Sequence, residues 1–305
     1  MRSCEDRIGF GISKGWIAIV SAALFWIPGR GLASDPAVAE TNFRAGIDYA
    51  FSSIEEDSAS IGFFSVQLLE TEKNEVDFRG VVVIPVAHAI GVRLSLAPNY
   101  SRYEVDGVFS RDSETAGLGV AGDVFFRDPD RFEIGLGPRY AWDEPLESDS
   151  GDSIHSLAGI VYGRLFLGDP GIVPIDVEAF VLFGEQDLGE EDRTGGSSEF
   201  YEAGGGLTFY PHARLALGAG ASYREEDSSA FADREREIVA GRFFVDFLAL
   251  RRPGLIFGPR AEVGEVETSL AGFEGLEQRF YSVGLSISLN FPGAESLVDL
   301  SRRYF

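Results

Sequence analysis

The stretch from Arg279 to Phe291, R-F-Y-S-V-G-L-S-I-S-L-N-F, alternates without a break. Tyr281, Val283, Leu285, Ile287, Leu289 and Phe291 fall on one side of an extended chain, and Ser282, Gly284, Ser286, Ser288 and Asn290 fall on the other. Successive side chains of a strand point to opposite faces, so a period of two gives one bulky apolar face and one small polar face. A strand in a soluble core also has a buried and a wet face. The bulk of the apolar face, the aromatics at its ends and the small polar residues opposite suit a strand with lipid outside and a polar lumen inside.

The pattern recurs along the chain, punctuated by proline. Pro85, Pro129, Pro170, Pro211, Pro253 and Pro292 each end a strand-like run, at spacings of 44, 41, 41, 42 and 39 residues. Proline lacks the N–H that a ladder needs and therefore sits at strand ends and turns. A second landmark lies in the strand that leaves each turn. Leu96-Ala97-Pro98-Asn99-Tyr100, Leu136-Gly137-Pro138-Arg139-Tyr140, Leu217-Gly218-Ala219-Gly220-Ala221 and Phe257-Gly258-Pro259-Arg260-Ala261 align. The repeat is thus a hairpin with its two connections, and Pro98, Pro138 and Pro259 inside strands predict a bulge or kink at each.

Two strands per proline turn give about twelve, an even number that returns both chain ends to one side of a barrel. They fall at 42–52, 76–84, 90–103, 117–127, 131–142, 154–167, 173–187, 199–210, 214–224, 237–249, 254–266 and 279–291, with ten or fourteen strands as the alternatives. The connections are unequal. Short proline turns lie on one side, and long acidic loops lie on the other: Glu104 to Ala116, Asp143 to Ser153, Gly189 to Ser198, Glu225 to Glu235 and Glu267 to Gln278. Between 53 and 75 the pattern is least regular, because Ile61 to Leu69 has strand-like residues of its own.

Carrying the alternation through each strand sends Phe43, Tyr49, Tyr100, Tyr140, Trp142, Tyr223, Phe243 and Phe247 outward, many of them near strand ends as in an aromatic girdle. It sends Arg44, Arg79, Arg93, Arg139, Arg164, Arg224, Arg242 and Arg260 inward, with Asp48, Asp123, Glu133, Asp176, Glu178, Glu202, Asp246 and Glu262. An arginine facing lipid at mid-membrane costs about 2–4 kcal/mol, which favours this register. The candidate lumen residues are Arg93, Arg139, Arg164, Arg242, Arg260, Asp123, Glu133, Glu178, Glu202, Asp246 and Glu262. Two interiors are consistent with them: a charge-lined pore, or a salt-bridged lumen crowded by the inward Phe125, Phe166, Phe180 and Phe244.

Composition narrows the class further. Residues 1–34 read as a secretory signal peptide: Arg2, Arg7 and Lys14 precede an apolar run from Trp16 to Pro28, and Gly31, Leu32, Ala33 and Ser34 offer a cleavage site. Its removal takes Arg2, Arg7, Lys14 and Arg30 away against Glu5 and Asp6, so the formal charge moves from -23 to -25. Cys4, the only cysteine, leaves with it, and disulfides, thiolate metal sites and cysteine nucleophiles leave too. Nucleic acid is an unsuitable partner for so acidic a chain. Residues 35–291 form the barrel, and 292–305 a tail beyond its last strand.

The 279–291 stretch resembles the closing strand of bacterial outer-membrane β-barrels, which ends in an aromatic and is read by the barrel-assembly machinery. The resemblance implies an assembly signal at Tyr281, Gly284, Leu289 and Phe291, a transmembrane antiparallel up-and-down β-barrel, and a place in the Gram-negative cell envelope with outer-membrane lipids and lipopolysaccharide as neighbours. In that family the aromatic is usually the last residue, whereas here fourteen more follow, Pro292 to Phe305. Leu297, Val298, Leu300, Tyr304 and Phe305 can form one face of a short helix packed at the periplasmic mouth or into the lumen, or the tail is disordered.

Chemistry is sparse. His88 and His212 fall in turns, and His155 lies two residues after Ser153 on one strand face. Outer-membrane phospholipases and lipid A deacylases use a His-x-Ser pair toward lipid; here the order is Ser-x-His. Gly204-Gly205-Gly206 and Gly218-Ala219-Gly220 lack the Lys-Ser/Thr of a phosphate loop and sit inside strands. The acidic loops lack the regular ligand spacing of a calcium site. The expected function is a small passive diffusion channel without cofactor or catalytic residue. The alternatives are a non-conducting structural or adhesive surface barrel and, third, a lipid-directed hydrolase using Ser153 and His155.

Overall fold

The computed structural model describes residues 42–56, 60–61, 64–65, 70–87, 89–106, 111–128, 131–146, 153–168, 173–187, 196–228, 234–270, 273–291, 293 and 295–304. Twelve long strands close into one barrel. They are β1 (Asn42–Glu56), β4 (Glu70–Ala87), β5 (Ile90–Asp106), β6 (Arg111–Asp128), β7 (Phe132–Pro145), β8 (Ile154–Leu167), β9 (Ile175–Asp187), β10 (Ser197–His212), β11 (Leu215–Ser228), β12 (Arg234–Leu250), β13 (Gly254–Leu270) and β14 (Phe273–Phe291). Between β1 and β4, β2 (Ser60–Ile61) and β3 (Phe64–Ser65) pair as a minimal hairpin in the irregular 53–75 segment. Each long strand pairs antiparallel with its sequence neighbours, and β1 pairs with both β4 and β14. The count and the up-and-down order match the expected architecture.

Closure rests on the alternating stretch. β14 runs against β1 without a register shift from Phe43↔Phe291 to Glu56↔Gln278. Tyr281, Leu289 and Phe291 face outward, and the Phe291 ring packs on Phe43 with centroids 6.5 Å apart. Gly284 lies inside, opposite Ala50, where a Cβ would run into the Tyr49 carbonyl. The outer face is apolar along its length: Val283 is 60% exposed, Phe243 55% and Leu207 50%. Phe43, Tyr49, Tyr100, Tyr140 and Phe247 are exposed on the same surface, and Trp142 and Tyr223 share its register but are partly covered. This inverts a soluble protein and leaves a broad apolar belt for lipid. Among the described residues no helix is long and apolar enough to cross a membrane, a test that does not bear on strands.

Two expectations need correction. The strands run well into the segments read as loops: Glu104–Asp106, Arg111–Ala116, Glu225–Ser228, Glu267–Leu270 and Phe273–Gln278 are all ladder. Charged residues on both faces erase the hydropathy alternation there, but backbone pairing does not depend on it. Of the bulge or kink expected at the internal prolines, the bulge is absent. Near Pro98, Pro138 and Pro259 the pairing with one neighbour lapses between Asp77↔Asn99 and Gly80↔Leu96, between Ala121↔Arg139 and Val124↔Leu136, and between Phe244↔Arg260 and Phe247↔Phe257. The register is the same on either side of each gap. A missing N–H removes a ladder bond without adding a residue. Register shifts occur instead between Pro85 and Ala87, Phe209 and His212, Leu248 and Leu250, and Thr268 and Leu270.

After β14 the chain turns back and forms α1 (Leu297–Tyr304). Ser296 caps it, its Oγ accepting the Asp299 N–H at 3.1 Å, while the Asp299 carboxylate accepts the Glu295 N–H at 3.3 Å. The first satisfies a donor that the helix start leaves open, and the second ties the residue before the cap to the first turn. Leu297 and Leu300, three apart, and Ser301 are buried. Phe305, and the connections holding His88, Pro129, Pro170 and Pro292, lie outside the described residues.

Candidate functional site

The barrel interior gathers nearly all the polar chemistry. Arg93 stands opposite Asp123, Glu133 opposite Arg164, Arg164 opposite Glu178, Glu202 opposite Arg224, and Arg242 opposite Glu262. Arg139 lies opposite Ala121, Asp246 opposite Ala216 and Arg260 opposite Phe244. Arg44 and Asp48 share the same inner face on β1, opposite Val81 and Asp77, and Arg79 lies opposite Gly46. All eleven candidate lumen residues are thus on the inner face, but they divide into two layers with different packing.

The lower layer, toward the end bearing the short turns, is filled. On β5–β8 the fully buried Glu133 accepts from Arg93 at 2.7 Å and pairs with buried Arg127. Arg93 also donates to the Tyr162 hydroxyl at 2.9 Å and approaches Asp123 to 4.0 Å, and Arg139 reaches Asp123 at 3.6 Å. Two guanidiniums approach the Phe125 ring, Arg93 at 5.1 Å and Arg127 at 4.8 Å, and the ring packs with Val81 and Val83. Charges buried so deeply are tolerated only when paired and hydrogen-bonded.

The rest of that layer is α1. Leu297 and Leu300 pack into a seat of Tyr210, Ala216, Leu248 and Ile256, contributed by β10, β11, β12 and β13. At the far side of the seat, Asp176 accepts from Arg164 at 2.8 Å and from the Tyr210 hydroxyl at 2.7 Å, and also from the Ser301 hydroxyl. Arg164 in turn donates to Ser301 Oγ at 3.0 Å and to its carbonyl at 3.2 Å. Arg251 and Arg252 in the β12–β13 turn pair with Glu295 at 3.2 and 3.6 Å. The helix and the ion-pair nest together form a floor across the lumen.

Above the floor the lumen is wetter. Arg242 and Glu178 meet at 2.7 Å with side chains 52% and 38% exposed, although two strands separate them. The inward residues between are Gly206 and Gly220, and a Cβ on them would fall 3.2 Å from Glu178 Oε1 and 2.9 Å from Arg242 Nε. The same device flattens the inward rings. Phe180 lies over Gly204, and Phe244 over Gly218 where any Cβ would overlap the ring. Of the four phenylalanines expected to crowd the lumen, Phe125 and Phe166 are buried in the floor, and Phe180 and Phe244 lie along the wall. Arg260 pairs with Asp246 at 2.7 Å, and Arg224 bonds Glu226 at 2.7 Å while stacking on Phe200 at 4.3 Å. Arg79 is exposed to this chamber.

Sequence reasoning missed Arg127, Tyr162, Tyr210 and Ser301, all of which hold the floor. Arg127 and Tyr210 border proline turns, yet alternation from Asp123 and from Thr208 already points them inward. Ser301 has no signal except its place one helical turn after Leu297.

On the outer surface His155 Nδ1 is 2.8 Å from the Tyr140 hydroxyl, and its ring stacks on Trp142 at 6.5 Å. Its close polar partner is therefore Tyr140. His212 accepts the Arg214 N–H at 3.2 Å, as a turn residue does. Glu225, Asp227 and Glu235 bring carboxylate oxygens within 4.8 Å of one another at strand ends.

No family model matches the chain, and no curated protein matches it. Among solved structures, an outer-membrane channel from Pseudomonas putida superposes with a TM-score of 0.58 at 11% identity, covering 86% of this chain and all (100%) of that one. The translocator domain of the autotransporter NalP from Neisseria meningitidis gives 0.43 at 10% identity, covering 90% of this chain and 93% of that one. A Pseudomonas aeruginosa FadL homologue gives 0.41 at 12%, covering 82% and 89%. The fold is that of an outer-membrane β-barrel. At such identities the likeness concerns the path of the backbone and says nothing of a solute.

Proposed function

We propose that the chain is a bacterial outer-membrane channel through which small solutes diffuse passively, with selectivity set by the inward charges. The observation that carries this reading is the chamber above the floor. There Arg242 and Glu178 keep 52% and 38% of their side chains exposed, and glycines let them, Phe180 and Phe244 lie along the wall. A lumen meant only to be filled has no need of such thinning. The outward apolar belt supports membrane insertion, and the signal-like residues 1–34 support export through the inner membrane before assembly by the barrel machinery. The short-turn end would then be periplasmic, with lipopolysaccharide around the acidic opposite rim. Diffusion needs no catalytic residue, and the His155–Tyr140 contact does not favour a Ser153 hydrolase.

Single-channel recording of the refolded mature protein across a salt gradient tests the proposal. Steady open events with a reversal potential away from zero support a charge-selective channel. A folded barrel that stays silent, even with its floor disrupted, would favour the second reading, a non-conducting surface barrel, to which the filled lower layer lends its own support.

A further inference from the structure

We infer that α1 is a built-in plug, a C-terminal segment docked inside its own barrel whose displacement opens the lumen at the short-turn end. The inference rests on the channel reading above and adds the element that controls it. Three observations carry it. The barrel is complete at Phe291, paired to Phe43, so residues 292–305 contribute nothing to closing the sheet. The chain then doubles back so tightly that a Cβ at Gly293 would overlap the Arg251 carbonyl, and Arg251 and Arg252 hold Glu295 at the point of entry. Finally, α1 meets the wall through separable contacts: an apolar seat under Leu297 and Leu300, a bond from the Leu297 N–H to the Ala213 carbonyl at 2.9 Å, and a polar latch of Ser301 on Arg164 and Asp176.

A segment needed only for barrel stability would be expected to pack against one wall. This one touches β8 and β9 through Ser301, β10–β13 through the seat, and β1 and β4 on the remaining side, with Leu300 Cδ1 3.6 Å from where a Cβ on Gly254 would lie. Across from it the nest around Glu133 is anchored in the strands themselves and has no hinge. The part of the floor that can move is therefore the helix, tethered through Gly293 and able to swing out of the mouth without breaking a strand pair.

The test uses the full chain in a Cys4→Ser background, in planar bilayers and in vesicles. Leu297→Asp/Leu300→Asp places carboxylates in the apolar seat, and Gly254→Cys/Leu300→Cys permits a covalent lock. A single Leu300→Cys, with and without Leu297→Asp, reports helix release through its rate of maleimide labelling. The expected result is that the charged variant labels faster and raises open probability by about tenfold or more, and that oxidation of the lock silences the channel until reductant is added. Equal conductance in the wild type, the charged variant and the oxidised lock would overturn the plug while leaving the channel reading intact. Unchanged labelling would also overturn it, since the helix would not be docked by that seat. Faster labelling with no current in any variant would sink the channel reading and, with it, the plug.

Discussion

Replacing Glu133 with glutamine keeps the side chain's volume and removes its charge from the centre of the floor. Glu133 is fully buried, Arg127 beside it is 2% exposed and Arg93 is 12% exposed, so neither guanidinium gains water when the carboxylate is lost. Breaking a buried pair by neutralising one partner costs about 3–5 kcal/mol, mostly because a charge is left uncompensated. Asp123 offers Arg93 only partial relief at 4.0 Å, so the expected loss lies in that range. The control is Glu104→Gln, whose partner Arg102 lies 3.1 Å away with both side chains 44% exposed; an exposed pair of this kind contributes no more than about 1 kcal/mol. Urea unfolding in lipid vesicles gives both values. Trp142 serves as reporter, since the other two tryptophans, Trp16 and Trp26, precede the expected cleavage site. If Glu133→Gln unfolds within about 1 kcal/mol of the wild type, as the exposed control does, water reaches the nest and the argument for a dry floor fails.

Three further outcomes are expected. Gly218→Leu should push Phe244 off the wall, destabilise the barrel by about 1–3 kcal/mol and lower conductance; unchanged current would mean that the ring does not border the path. Arg260→Ala releases Asp246 from its 2.7 Å pair and should move the reversal potential toward cation preference, with Arg139→Ala shifting it the same way through Asp123. Identical reversal potentials would remove both arginines from the conduction path. Ser153→Ala should leave folding, conductance and lipid composition unaltered, whereas a change in lipid acylation tied to that hydroxyl would reopen the hydrolase reading.

Twelve strands, their order and the inner face of each were legible from periodicity, because a strand's two faces are set residue by residue by the backbone alone. That is why Arg93, Asp123, Arg242 and Glu262 could be placed inside with no knowledge of their partners. The strand ends were less legible: from Arg111 to Ala116 polar residues dominate both faces and hydropathy falls silent, while the ladder continues. How the interior is filled was beyond reach, since it depends on residues far apart in the chain. Glu178 meets Arg242 across two other strands, and Arg164 holds Ser301 from 137 residues away. Periodicity marks which side a residue faces; only closure of the barrel decides which glycine a phenylalanine covers and whether fourteen residues after the last strand fold back to close the lumen.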